Sequence, residues 1–351
     1  MSNPVSRSWE RTFFNGENAL KPVGIIPNPA SGKDIRRLVA YGSVFDNNEK
    51  VNIVRRVILG LDAMGVKDVL MMPDYFGIGA RAIEDLEVSS RITFLDMKRD
   101  NTQDDSARAA ELLNELGVAC IITLGGDGTN RVVAKTCAET PLLPISTGTN
   151  NVFPSMVEGT LAGMAAGFTA FDSSDRPDFI KQAPRLIIKY GSEIVDMALI
   201  DIVVSKPGFI GSRAVWDIST LQEIFLSKAE PGNIGFSSIG GNISDLPSSN
   251  GKGIHIIIGP GPHEIKAPIA PGLIRSVPVK AYRLFEPGEE MPLAHTPAMI
   301  ALDGERERIE RKKMQVAVEI DLHGPWVIDI PRALQQAAKQ RLFHNPSPSR
   351  R

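Results

Sequence analysis

The run Leu124-Gly125-Gly126-Asp127-Gly128-Thr129-Asn130 carries the sharpest chemical signal in the sequence. It follows an apolar run at 119–123 and opens a stretch of helical pattern at 131–137. A strand, a glycine-rich turn and a helix start aim backbone N–H groups at an anion, where the helix dipole also favours negative charge. The N–H groups of Gly125, Gly126, Gly128 and Thr129 are the donors, and glycine lets the backbone approach closely. An aspartate inside such a turn would repel a phosphate. Asp127 therefore fits better as a grip on a ligand hydroxyl or on a phosphate-bound Mg²⁺. The structural alternative is a strand-to-helix turn with a capping Asp.

Two further polar turns follow apolar runs in the same half of the chain. Asn28-Pro29-Ala30-Ser31-Gly32-Lys33 comes after the first run, and Ser146-Thr147-Gly148-Thr149-Asn150-Asn151 after the last. In a parallel sheet, ligands sit beyond the carboxyl ends of the strands. Three small, polar, Gly-containing turns thus point to one crevice for a nucleotide phosphate. Lys33 is a candidate cation there, or else a solvent-facing lysine at a helix start. This is neither a Walker A loop nor G-x-G-x-x-G: Pro27 stands where the first Walker glycine would be, and Asp34 follows Gly32-Lys33.

The elements that must position these turns are legible. Apolar runs at 23–26, 66–72, 92–95, 118–124 and 142–146 have the length of strands buried on both faces. Residues 49–64 and 103–116 carry helical periodicity, the second with capping side chains at Asn101 and Thr102. This alternation predicts a parallel α/β sheet over 21–175, rejoined by a closing helix within 331–345. From 176 to 330 the texture is β-rich, with strands expected at 185–190, 194–205, 254–258, 273–284, 299–303 and 314–320, and one helix at 213–228. Pro260-Gly261-Pro262-His263 reads as a loop, and the mixed-charge run 305–313 as a solvated strand edge or turn. Residues 1–20 read as a mobile arm, 172–178 as a linker, and the last residues as a polar tail.

Composition narrows the class. The chain has 351 residues, enough to bury about three quarters of its extended surface without staples. Lys+Arg 39 against Asp+Glu 41, with 6% aromatics, argues against a nucleic-acid binder. Cys120 and Cys137 form no CxxC pair and are expected to be buried and reduced, in a cytoplasmic setting. No secretory leader is visible, and the most apolar stretch, 161–171, is too short to span a bilayer. The five histidines show no metal-ligand spacing.

NPASG, GGDGT and GTNN in this order resemble the superfamily of NAD kinases and diacylglycerol/sphingosine-type lipid kinases. The run PNPASGKDIRRL is most similar to the ATP-NAD-kinase-like proteins of the acetoin-catabolism X group. Looser matches follow. Ala198-Leu199-Ile200-Asp201 resembles the NAD kinase Ala-Leu-Asn-Glu segment, 237–242 its Thr-Gly-Ser-Thr-Ala-Tyr turn, and Asp303-Gly304-Glu305 its Asp-Gly-Glu or Asp-Gly-Gln element. The resemblance covers roughly 22–330. It implies a phosphofructokinase-like α/β domain, a β-sandwich domain and a cleft between them. It implies ATP, or polyphosphate, as donor with Mg²⁺, and an alcohol as acceptor, the ribose 2′-hydroxyl of NAD in NAD kinases.

Carried onto this chain, Asp127 contacts or activates the acceptor hydroxyl. Asn28, Ser31, Gly32, Lys33, Thr147, Gly148, Thr149 and Asn150 flank the donor, while Asn151, Asp201, Ser237, Ser238, Gly240, Asp303 and Glu305 are candidates for the acceptor side. Asp303 and Glu305 have a β-turn as their bland alternative. Two departures stand out: Ile200 replaces an Asn that binds the dinucleotide, and no Tyr lies in 237–242. Losing a buried polar contact changes ligand preference. A kinase of another small hydroxylated metabolite, a lipid kinase and a non-catalytic NAD(P) or ATP sensor therefore stand beside the NAD kinase reading. The resemblance also leads us to expect a homo-oligomer.

Overall fold

The computed structural model describes residues 20–31, 41, 46–171, 177–207, 218–246, 250–295, 298–310 and 316–343. Gly32, Lys33, residues 1–19 of the expected arm, the expected tail, and linker residues 172–176 lie outside these.

The first half is built from β1 (Val23–Pro27), α1 (Asn47–Ala63), β2 (Asp68–Met71), α2 (Ile78–Ile83), β3 (Arg91–Phe94), α3 (Asp104–Glu115), β4 (Ile121–Gly125), α4 (Asp127–Ala134), β5 (Leu142–Ser146), α5 (Gly159–Phe171) and β6 (Ile180–Gln182). β1, β4 and β5 are buried along their whole length, as apolar runs demand of central parallel strands. Alternate side chains feed opposite faces: Val23 and Ile25 join a core with α1 and α5, whereas Ile26 joins one with α3 and α4. The expected caps of α3 are shifted. Thr102 Oγ1 accepts from the Asp104 N–H at 3.2 Å, and the Asp105 carboxylate gathers the Asp100 and Asn101 N–H groups.

α1 and α5 cross at glycines. A Cβ on Gly163 would lie 2.2 Å from the Val57 carbonyl oxygen, and one on Gly60 2.4 Å from that of Thr160. Gly163→Ala is expected to force the helices apart at a cost of about 1–3 kcal/mol, read as a lower melting temperature. An unchanged melt would show that this contact is not tight.

The second half comprises β7 (Arg185–Tyr190), β8 (Glu193–Ala198), β9 (Asp201–Ser205), β10 (Leu221–Leu226), α6 (Ser237–Gly241), β11 (Gly253–Ala270), β12 (Leu273–Phe285), β13 (Met291–Pro292), β14 (Ala298–Leu302), β15 (Glu305–Glu310) and β16 (Val316–Asp321). They form a six-stranded sheet, β12-β11-β10-β9-β14-β15, and a four-stranded one, β13-β16-β7-β8. The paired strands described are antiparallel, and Ile188, Val318, Val204, Phe225 and Ile300 fill the space between the sheets. This is the expected β-sandwich. β17 (Trp326–Ile328) and α7 (Ile330–Lys339) follow.

Three expectations need correction. The helix read over 213–228 is, where described, a short 3-10 turn at Ile218–Thr220 and then the central strand β10. Strands β6 and β17, read as part of the β-rich segment, complete the first sheet in the order β3-β2-β1-β4-β5-β17-β6. Pro260-Gly261-Pro262 lies inside β11 rather than in a separate loop. Ile258 and His263 both pair with Val279, so the residues between them are extra length in one hairpin. Gly261 is required there, since a Cβ would lie 2.4 Å from the Lys280 Cα.

Glu223, in β10, is buried and sits between two histidines. His255 Nε2 lies 2.9 Å from Oε2, while the His295 N–H and Nδ1 lie 2.9 and 3.1 Å from Oε1. Burial raises the Glu223 carboxyl, but the hydrogen bonds from His255 and His295 outweigh it and hold the group below its usual range. A depressed carboxyl contributes stability above its unfolded value, about 4.3, and loses it as pH falls through the lower folded value. Glu223→Gln should therefore flatten the acid limb of the melting-temperature profile below about pH 5. A wild-type-shaped limb would show that this carboxylate does not govern acid unfolding.

Candidate active site

The strand order places β1 between β2 and β4, so the crevice at the carboxyl ends of β1 and β4 is the switch point of the sheet. The three turns converge there. Asn28 Nδ2 donates to Thr129 Oγ1 at 2.8 Å, joining the turn after β1 to the first turn of α4. Ser31 Oγ lies 2.9 Å from Thr147 Oγ1, joining the same turn to the segment after β5. The Asn28 carboxamide also closes its own turn, accepting from the Ala30 N–H at 2.9 Å.

Lys50 is the residue that sequence reasoning missed here. It is fully buried on α1, and its Nζ donates to the carbonyls of Asn28, Pro29 and Ser31 at 3.0, 3.3 and 2.6 Å. The available signal was a lysine on the apolar face of α1, four residues before Val54 and eight before Ile58.

Asp127 does not cap its own helix. Gly126 is the N-cap, without a side-chain bond, and the Asp127 carboxylate reaches across to the segment after β5. There it accepts from the Phe153 N–H at 2.8 Å and from the Val152 N–H at 3.1 and 3.2 Å. A negative charge is thus fixed at the helix start, one and two residues from the first-turn N–H groups of Gly128 and Thr129. Two loop glycines answer to the protein's own side chains. A Cβ on Gly125 would lie 2.5 Å from Thr129, and one on Gly126 2.8 Å from Asn151 Oδ1. Asn151 Nδ2 in turn donates to Ser146 Oγ at 2.7 Å and the Gly148 carbonyl at 3.3 Å. The Asn150 amide atoms are buried without a hydrogen-bond partner among the described residues, which invites a ligand or water. Thr149 lies in the same turn.

The residues expected on the acceptor side divide. Asp303 and Gly304 have φ of +49° and +79°, a two-residue hairpin turn between β14 and β15. The Asp303 carboxylate is buried and accepts from the N–H groups of Leu199, Ile200 and Asp201 at 2.9, 2.8 and 3.2 Å. It organises the 199–201 segment rather than facing a ligand. Burial pushes its carboxyl above the usual range, against the pull of these N–H groups and of Arg131. Arg131, fully buried on α4, lies 3.8 Å from Asp303 and 3.5 Å from Asp196, tying the Asp127 helix to the β-sandwich. Ser237 and Ser238 are buried and spend their hydroxyls on the Lys228 and Gly235 carbonyls, each at 2.6 Å. Gly240 packs on Leu226. Asp201 is buried, and Glu305 begins β15.

A cavity of about 480 Å³ lies between the two halves, within the range of small-ligand sites. Its wall includes Val152 and Phe153, whose N–H groups hold Asp127, together with Leu199, Ile200, Ser227 and Lys228. Asp201, Ser237, Ser238, Gly240 and Asp303 are not part of that wall. Among the described residues no group of three His, Cys, Asp or Glu side chains could hold a metal, and no helix is long and apolar enough to cross a membrane. Cys120 and Cys137 are buried, and burial pushes both thiols up to about 12.

Comparison with known proteins agrees with the fold. Residues 23–170 match the ATP-NAD kinase N-terminal domain, and residues 184–323 match the acetoin catabolism protein X C-terminal domain. The fold is thus that of a kinase-type phosphotransferase of the ATP-NAD kinase class. More narrowly, the chain belongs to the acetoin catabolism protein X family. It is 36% identical over 342 residues to Acetoin catabolism protein X of Cupriavidus necator, across 93% of this chain and 95% of that protein.

Proposed function

We propose that the protein transfers the terminal phosphoryl group of ATP to an alcohol hydroxyl of NAD or a related small molecule. The observation that carries this reading is the stitching of three strand-end turns around Asp127, through the Asn28–Thr129 and Ser31–Thr147 contacts. The first-turn N–H groups of α4 would hold donor phosphates, and Asp127 would orient the acceptor hydroxyl and take up its proton. An alcohol is a poor acid, so positioning and charge neutralisation supply most of the rate. Mg²⁺ fits only as a nucleotide-borne ion, kept by phosphate oxygens, water and one or two carboxylates, with Asp127 the acid at hand. When bound, it neutralises phosphate charge.

Ile200 favours a second reading of the acceptor. It lines the cavity and packs in an apolar cluster with Met197, Leu199, Val152 and Phe153, where an amide-bearing residue would bind a dinucleotide. A smaller hydroxylated metabolite with an apolar body suits that wall. Thermal shift with Mg²⁺ against ATP, polyphosphate, NAD, NADH, NADP and simple polyols, followed by product analysis, separates the cases. NADP formation supports the dinucleotide acceptor, and transfer only to a small alcohol supports the second. Binding without transfer to any alcohol overturns the enzyme reading in favour of a sensor.

A further inference from the structure

The cavity and the phosphate turns occupy only part of the rim. The cavity lies toward β5, β17 and β6, since Pro144, Gln182 and Val327 line it, and the phosphate turns lie at β1 and β4. If the acceptor fills the first and the phosphates the second, the carboxyl ends of β2 and β3 are the part of the described rim left for the rest of the donor. At about 4.8 Å per strand, the carboxyl ends of β2 and β3 begin about 7–12 Å from the β1/β4 crevice, a triphosphate's length away.

At that place the chain exposes two aromatic rings. Tyr75 and Phe76 follow β2, are 48% and 45% exposed, and meet edge to face with centroids 6.2 Å apart. Their backbone is fixed: Asp74 Oδ1 accepts from the Phe76 N–H at 2.9 Å and Oδ2 from the Gly79 N–H at 3.3 Å. A second observation points to the same rim. Asn47, in the first turn of α1, is 5% exposed, and both its amide atoms lack a hydrogen-bond partner among the described residues. It lies one turn outward from Lys50 on the buried face of α1. Its neighbour Asn48 accepts from Arg81 of α2 at 2.7 Å, which brings the start of α1 beside the element that follows the two rings.

We infer that Tyr75 and Phe76 form the platform for the donor's nucleoside base and that the Asn47 amide binds the polar edge of that nucleoside. This assignment rests on the phosphotransfer reading above and deepens it: the donor is a nucleotide, held by stacking as well as by its phosphates. Base–aromatic stacking is insensitive to which base is stacked, and Asn47 supplies the hydrogen-bonding contact.

The test is calorimetric binding of ADP and of inorganic tripolyphosphate, each with Mg²⁺, to the full chain. The proteins compared are wild type, the double variant Tyr75→Ala/Phe76→Ala, and Asn47→Ala. The rings are about half buried, so the double variant is expected to melt slightly lower, with retained tripolyphosphate binding reporting an intact site, and removing an unpartnered buried amide should leave the melting temperature unchanged or higher. The double variant should bind ADP about tenfold more weakly, Asn47→Ala severalfold more weakly, and both should bind tripolyphosphate as wild type does. ADP affinity retained in the double variant overturns the platform, including where its sedimentation changes because the rings cover a second copy of the chain. Wild type binding tripolyphosphate as tightly as ADP overturns it too, yet leaves phosphotransfer standing with polyphosphate as donor. Wild type binding neither overturns both.

Discussion

Replacing Asp127 by Asn is expected to lower turnover by roughly 10²–10⁴-fold while donor binding stays within a few-fold of wild type. The size follows from the role. A positioned carboxylate that receives the acceptor proton contributes in the transition state, so its loss falls on kcat and kcat/KM together and spares ground-state affinity. The carboxylate has a second duty, because it accepts from the Val152 and Phe153 N–H groups. An amide offers one oxygen where two served, so Asp127→Asn also weakens the tie between α4 and the segment after β5. Melting temperature and calorimetric ADP affinity, measured beside kcat, separate the two duties. A large loss of kcat with binding retained supports the chemical role. Turnover within about threefold of wild type, with a lowered melting temperature, would reduce Asp127 to a structural tie.

The parts of this molecule that were legible in the sequence share a cause. Central parallel strands such as β4 and β5 are buried on both faces and must be apolar throughout, so they announce themselves as short continuous runs. The same property misleads in β10. Leu221, Ile224 and Phe225 are spaced like one face of a helix, yet they belong to a strand flanked by β9 and β11. The turns of the site were visible through their glycines and small polar residues. What the glycines serve was not: Gly125 yields space to Thr129, one helical turn on, and Gly126 to Asn151, which is 25 residues away. Long-range partners account for the remaining omissions. Nothing local marks the Val152 and Phe153 N–H groups as partners of Asp127, or Arg131 as the partner of Asp303, because each pair is made only when separate elements assemble.

Arg131→Met is expected to cost about 3–5 kcal/mol of stability at pH 8, since it strands a buried charge on Asp303. The guanidinium is fully buried and lies between Asp303 and Asp196, so no water replaces it cheaply. The pH dependence gives the argument its test. Burial already holds the Asp303 carboxyl above its usual range. A carboxyl raised in the folded state costs stability when ionised, so its contribution is most favourable below the unfolded value, about 3.9, and worsens as pH rises through the folded value. Removing Arg131 raises that folded value further, and protonation then relieves the stranded charge over a wider acid range. Arg131→Met should accordingly lose less melting temperature at pH 5 than at pH 8, and adding Asp303→Asn should recover part of the loss at pH 8. Function should follow the same route. Asp303 orders the N–H groups of Leu199 and Ile200, and both residues line the cavity, so the variant should raise the KM for the acceptor more than the affinity for ADP changes. An equal loss of melting temperature at both pH values would show that Arg131 acts by packing alone, and an unchanged acceptor KM would uncouple the buried ion pairs from the cavity wall.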